Sequence, residues 1–224
     1  GYLRHLKIRK GINTGEILIN LFTTSQKEPY LEPLIEDIKK LDYKGELVGF
    51  LHTINDDYAD AVKTDEVRIY HGRDYFYEKL MDLKFKISPL AFFQVNTKAA
   101  EKLYDIVIDH LKDEKVDTIY DLYSGTGSIS QLISPHVNKV IGIEIDENAV
   151  QQARENNKIN NINNCEFIQG DVRKVLDENK ENVENIIVDP PRPGLHSEVI
   201  NHIIDISPKR IIYVSCNPKT QAQD

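Results

Sequence analysis

The chain has 224 residues, 40% hydrophobic and 29% charged, with a formal net charge of −8. That length supports one or two domains with a proper core, and an acidic balance gives no electrostatic signature of nucleic-acid binding. No apolar run approaches the roughly 20 residues that span a bilayer, and the first residues carry no secretory signal, so a cytoplasmic protein without a membrane partner is expected. The two cysteines, Cys165 and Cys216, form neither a disulfide framework nor a metal-ligand spacing. No metal site is expected.

In chain order, "LKIRKGINTGEILINLF" reads as two strands about an Asn13-Thr14-Gly15 turn. "YLEPLIEDIKKL" places Leu34, Ile38 and Leu41 at helical spacing. "ELVGFLHTI", "EVRIYHG" and "YFYEKLMDLKFKIS" each read as strand. Residues 1–86 are therefore expected to form a small α+β domain, which carries no catalytic signature. Its opening cations, Arg4, Lys7, Arg9 and Lys10, fit a solvated strand face better than a phosphate-binding patch.

The pattern changes near Ser88-Pro89. "VNTKAAEKLYDIVIDHLK" has Ala100, Leu103, Val107 and Leu111 on one helical face, with Asn96 as N-cap. Strands and helices then alternate. "TIYDLY", "KVIGIEI", "CEFIQ", "NIIVD" and "RIIYVSC" are short apolar runs, separated by helices beginning near residues 128, 147, 172 and 197. Uninterrupted apolar strands mark a sheet covered on both faces. Residues 87–224 are thus expected to form an α/β domain with a doubly wound parallel sheet.

In such a sheet, ligands sit beyond the carboxyl ends of the strands. The first strand delivers "DLYSGTGS", where Gly125 and Gly127 allow close backbone approach. Ser130 stands where a dinucleotide fingerprint needs its third glycine, and Asp121 suits a cationic ligand better than a pyrophosphate. The second strand delivers Glu144, placed to accept from ribose hydroxyls. Asp171, after the third strand, is either an acceptor for an adenine amino group or the N-cap of the next helix. The fourth delivers Asp189 and Arg192 in a stiff "DPPRPG" loop. The fifth delivers Cys216, at the far edge of the sheet from Cys165 for strand order 3-2-1-4-5. It is read as a free nucleophile rather than a disulfide partner.

Together "SPLAFFQVN" (88–96), "YDLYSGTG" (120–127), "DPPRPG" (189–194) and "YVSCNP" (213–218) resemble the S-adenosylmethionine-dependent RNA (uracil-5-)-methyltransferases. Residues 1–86 resemble that family's central domain, where RNA contact is possible. The resemblance implies a class I methyltransferase fold, S-adenosyl-L-methionine as cofactor, and an RNA partner, with rRNA favoured over tRNA. It places Gln94, Tyr123, Glu144 and Asp189 at the cofactor, beside Gly125 and Asp171. It makes Cys216 the nucleophile that adds to C6 of uracil, with Arg192 and Asn217 as donors to the base.

Ser124 replaces a cysteine common in the family. Members usually continue past "SCNP" through a glutamate that removes the C5 proton. A fragment with an incomplete sheet, inactive alone, is therefore expected. Several branches also carry an RNA-binding barrel and a four-cysteine iron–sulfur site, for which this chain has no ligands. The alternatives are an RNA cytosine-5-methyltransferase and a non-catalytic RNA-binding module on the same scaffold. A nicotinamide-dependent oxidoreductase is disfavoured by Asp121 and Ser130.

Overall fold

The computed structural model describes residues 1–56, 66–112, 116–178 and 183–224. The chain divides into two compact units, Gly1–Ala91 and Phe92–Asp224.

In the first unit, β1 (Leu3–Lys10), β2 (Glu16–Thr23), β3 (Glu46–Ile54) and β4 (Glu66–Gly72) form one sheet in sequence order. The β1–β2 and β3–β4 pairs are antiparallel, while β2 and β3 run parallel. A parallel pair needs a crossover, and α1 (Glu32–Lys40) lies in that connection. Its buried residue is Ile35, which joins Leu31, Ile17, Ile19, Leu47 and Phe50 in one apolar cluster. Leu34 and Leu41, expected on the inward face, are exposed, although Ile38 packs against the cluster. The helix begins one residue after Leu31 and turns its 31/35/38 stripe inward. That stripe is one position out of step with the one the spacing suggested.

The run "YFYEKLMDLKFKIS" is two strands rather than one. β5 (Phe76–Leu80) and β6 (Leu83–Ile87) form an antiparallel ribbon closed by Met81-Asp82. Met81 takes φ 52°, a conformation usually signalled by Gly or Asn, so the sequence hides the turn. The Glu78 carboxylate, 1% exposed, holds the ribbon to the β1–β2 turn. It accepts from Ile12 N at 2.6 Å and Asn13 N at 3.0 Å. The basic stretch on β1 is also put to use. Lys7 Nζ donates to Pro89 O at 2.9 Å, and Arg9 donates to Ser88 O at 3.0 Å and Ala91 O at 2.8 Å. Both cations clasp backbone carbonyls instead of facing solvent alone.

The second unit opens with α2 (Thr97–Asp109), capped by Asn96, whose side chain accepts from Ala99 N at 3.0 Å. Ala100, Tyr104, Val107 and Ile108 are buried on its inward face. There follow β7 (Val116–Leu122), α3 (Ser128–Ile133), β8 (Val137–Glu144), α4 (Glu147–Ile159), β9 (Cys165–Gln169) and α5 (Val172–Glu178). Residue 179, the expected end of α5, lies outside the described residues. The unit continues with β10 (Asn185–Val188), α6 (Ser197–Ile206), β11 (Arg210–Tyr213) and the short α7 (Pro218–Gln221).

The five strands of this unit are all parallel, in the order β9-β8-β7-β10-β11, the expected 3-2-1-4-5. Tyr120, Leu122, Ile143, Ile186 and Val188 are fully buried among Val172, Val199 and Ile203 from the helices. This is the class I methyltransferase arrangement of a doubly wound parallel sheet. Among the described residues, no helix is long and apolar enough to cross a membrane.

Glu78→Ala leaves the amides of Ile12, Asn13 and Lys79 without this acceptor. A loss of roughly 2–3 kcal/mol is expected, read as a lowered urea midpoint, with Glu78→Gln intermediate.

Candidate active site

Register decides which residues meet. Leu122 lies level with Ile143 on one side and Val188 on the other. Ile143 is level with Ile168, and Val188 with Tyr213. The next residue of each strand therefore falls on one rim: Tyr123, Glu144, Gln169, Asp189 and Val214. Backbone bonds extend this order past the ladders, as Asp189 N donates to Leu122 O at 3.3 Å and Val214 N to Val188 O at 2.9 Å. Gly125, Asp171 and Cys216 follow two residues on from their rim positions.

The turn after β7 is conformationally demanding. Tyr123 has φ 64°, Gly125 φ 54° and Gly127 φ 76°. The two glycines serve different ends. A Cβ on Gly127 would lie 2.5 Å from the Phe167 ring and 3.1 Å from Ala153, so this glycine lets α3 pack on the sheet. A Cβ on Gly125 would meet nothing within 4 Å, so this glycine borders open space. Gly125 N donates to Glu144 Oε2 at 3.0 Å, while Glu144 Oε1 accepts from Asp146 N at 2.9 Å. The Glu144 carboxylate is thereby fixed at the turn, and each oxygen keeps a lone pair for a further donor.

Asp121 does not reach this rim. It is fully buried, and Ser130 Oγ donates to its Oδ2 at 2.5 Å, while Oδ1 has no partner among the described residues. Burial pushes its carboxyl up to about 7; the Ser130 bond opposes that rise, and the charges of Asp189 and Glu144 add to it. Ser130, which the sequence marked only as a missing glycine, is thus the partner of a buried acid. Tyr104 on α2 is another residue that pattern reading passed over. Its phenol is held above the usual range by burial and by the charges of Asp189 and Asp121.

Asp171 is committed locally. Its carboxylate accepts from Arg173 N at 3.0 Å and from the Arg173 guanidinium, and the arginine holds its carboxyl down at about 2. Of its two sequence readings, the helix-start one is visible, with Val175 N also donating to Asp171 O at 3.0 Å.

Asp189 differs. Its carboxylate makes no side-chain hydrogen bond among the described residues, and burial pushes its carboxyl up to about 6. Together with Gln94, Tyr213, Ser215 and Cys216 it lines a cleft of about 700 Å³ between α2 and β11. Cys216 is an exposed free thiol, not the buried cysteine of an ordinary strand. Cys165, at the opposite sheet edge, is the inert one: Sγ donates to Ser130 O at 3.3 Å, and burial pushes its thiol up to about 12.

The Cys216 loop is held by its neighbours. Asn217 N donates to Ser215 Oγ at 3.0 Å, and the Asn217 side-chain oxygen accepts from Lys219 N at 3.2 Å. That leaves the Asn217 Nδ2 group as a donor. Asp224 joins this loop's strand to the proline loop, accepting from Tyr213 Oη at 2.6 Å and Leu195 N at 2.8 Å. Arg192 is exposed. No group of three or more His, Cys, Asp or Glu side chains among the described residues could hold a metal ion.

Residues 62–224 match the family model for tRNA (uracil-5-)-methyltransferase. The chain belongs to that family. It is 55% identical over its whole length to an uncharacterized RNA methyltransferase of Clostridium tetani, and 53% identical to one of Clostridium acetobutylicum. In each case it covers 49% of the relative, so it spans about half the length of the curated relatives it matches. Among solved structures it is similar to the Pyrococcus abyssi tRNA (uracil-54, C5)-methyltransferase in complex with S-adenosyl-L-homocysteine. That match has TM-score 0.83 and 31% identity, and covers 100% of this chain and 53% of that one.

Two measurements follow from this geometry. Gly127→Ala is expected to destabilise more than Gly125→Ala, because both carry left-handed strain of about 1–2 kcal/mol but only the former collides with Phe167; chemical denaturation of the two variants checks the order. Asp121 binds its proton more tightly folded than unfolded. Its contribution is therefore full below the unfolded value near 3.8 and lost as pH rises through about 7. Asp121→Asn should lose less stability than the parent between acidic and mildly alkaline pH, read from denaturation midpoints at both ends.

Proposed function

We propose that this chain carries the catalytic core of an S-adenosylmethionine-dependent RNA uracil-5-methyltransferase acting through a covalent cysteine adduct. The observation that carries the reading is Cys216: an accessible free thiol on the same cleft as Asp189 and Gln94.

The cofactor reading has support in the residues present. The open space at Gly125, the fixed Glu144 carboxylate and the unpartnered Asp189 carboxylate suit a ligand with ribose hydroxyls and a cationic end. Glu144 would hold the ribose, while Gln94, Tyr123, Gly125 and Asp189 would border the remainder. Asp171 is proposed at the adenine end with its Arg173 clamp intact. When bound, S-adenosylmethionine supplies a methyl group activated on a sulfonium.

The chain's own residues prepare the base to receive it. Uracil C5 is a poor nucleophile. Addition of the Cys216 thiolate to C6 forms an S–C6 bond and moves the π-electrons through C5 onto the C4 carbonyl, as an enolate. The thiolate is the attacking form. The Asn217 Nδ2 group and Arg192 are the proposed donors to the carbonyl that gains charge. Asp189 in its charged form is an acceptor for the uracil N3–H.

The RNA is proposed as ribosomal or transfer RNA. The sequence reading favoured the former, while the likeness to the Pyrococcus abyssi protein brings in the latter. An RNA cytosine-5-methyltransferase would use the same thiol, so the test must report on the base.

The experiment mixes the protein with S-adenosylmethionine and separated tRNA and rRNA made with 5-fluorouridine. Turnover needs the glutamate that follows "SCNP" in the family, but the stalled adduct does not: fluorine at C5 cannot leave as a proton, so a denaturation-stable protein–RNA adduct is expected, absent in Cys216→Ser. No adduct with either RNA, despite retained cofactor binding, would sink the uracil assignment. Adduct formation should also fall as pH drops through about 6, where Asp189 takes up its proton. Asp189→Asn should be slower throughout and lack that additional acid limb.

A further inference from the structure

The β5–β6 ribbon buries one face and presents the other. Phe76, Glu78 and Leu80 of β5 and Phe85 and Ile87 of β6 point inward and are buried. The alternate positions carry Tyr77 and Lys79 on one strand and Lys84 and Lys86 on the other, with Tyr77 level with Lys86 and Lys79 with Lys84. Tyr75 and Arg73 extend the same row. These side chains are not scattered. Lys84 Nζ lies 3.7 Å from the centre of the Tyr77 ring, and Lys86 Nζ lies 4.6 Å from that of Tyr75. The Arg73 guanidinium is 4.6 Å from Tyr75 and 5.1 Å from Tyr77. The two rings meet edge to face at 5.4 Å.

We propose that this outer face, built on Tyr75, Tyr77, Lys84 and Lys86, is a contact surface for single-stranded RNA. The inference rests on the RNA reading above and adds where the strand lies. A solvated strand face needs only polar side chains, whereas this one interleaves aromatic planes with cations. Single-stranded RNA offers the matching pair: bases that stack on aromatic rings and phosphates that take ammonium groups. A paired duplex offers its phosphates but keeps its bases stacked inside. The cations are already gathered over the rings, so less side-chain freedom remains to be lost on binding. The ribbon is also braced. Glu16 accepts from both Tyr77 N and Arg73, and Glu78 ties the ribbon to the neighbouring turn. On a chain of net charge −8, a local cationic face directs an anionic polymer to one place.

The test is a fluorescence-anisotropy titration of the 224-residue chain with a short labelled single-stranded RNA across a salt series. Lys84→Gln/Lys86→Gln should weaken binding and reduce the slope of log affinity against log salt by about 1.4, as for two phosphates. Tyr77→Ala should weaken binding roughly tenfold with the slope unchanged, and Lys84→Arg/Lys86→Arg should restore the parental slope. Melting curves establish that each variant is folded, and the lysine pair serves if Tyr77→Ala does not fold. Equal affinity and slope in the double glutamine variant would overturn the surface, while an adduct with 5-fluorouridine RNA in the parent would leave the functional reading standing. A parent that neither binds RNA nor forms the adduct overturns both. Competition by polyglutamate as strong as by RNA would assign the face to an acidic protein instead.

Discussion

Five strands running one way in unbroken register are the constraint on which the second unit depends. Parallel pairing forces each connection to cross back over the sheet, so each strand's carboxyl end opens onto the same rim. Tyr123, Glu144, Asp189 and Val214 are level there because Leu122, Ile143, Val188 and Tyr213 are level one residue earlier. Tyr123 and Asp189, 66 positions apart in sequence, thereby become neighbours on adjacent strands. Shifting one strand by a single residue would turn its side chains to the opposite face and remove its contribution to the rim.

Around that rim the acids are sorted by environment. Asp171 is half-buried and clamped by Arg173, which keeps it charged. Asp189 is largely buried with no side-chain partner among the described residues, and Asp121 is enclosed with its Oδ2 accepting from the Ser130 hydroxyl. Identical side chains therefore hold their protons over a range from about 2 to about 7. The cysteines are sorted in the same way. Cys165 is a packed edge residue, whereas Cys216 stands past the end of β11 on a loop tied down by Ser215 and Asn217. Position on the sheet, rather than residue type, separates the exposed thiol from the packed one.

The first unit solves a different problem with similar means. Glu78, Glu16, Arg9 and Lys7 are charged, yet each satisfies backbone groups of a distant segment. Glu78 is almost wholly enclosed, a placement tolerated because its oxygens meet amide donors. These bonds add to the burial of Phe76, Leu80, Phe85 and Ile87 on the ribbon's inner face.

The sequence by itself determined the alternating architecture of the second unit and the loops where chemistry collects. Apolar runs of strand length, glycine turns and prolines act locally and leave their mark in consecutive residues. It also held the four motifs that placed the chain in its family. Other features were decided only by the tertiary structure. The face of α1 that turns inward depends on where Leu31 meets the sheet. The turn at Met81 carries no glycine to announce it. The bond from Ser130 to Asp121 and the burial of Tyr104 exist only once α3 and α2 pack on the sheet. So do the different tasks of Gly125 and Gly127, since both look alike until Phe167 and Ala153 close over one of them. Burial, register and proximity are relations between distant segments, and no window along the chain contains them.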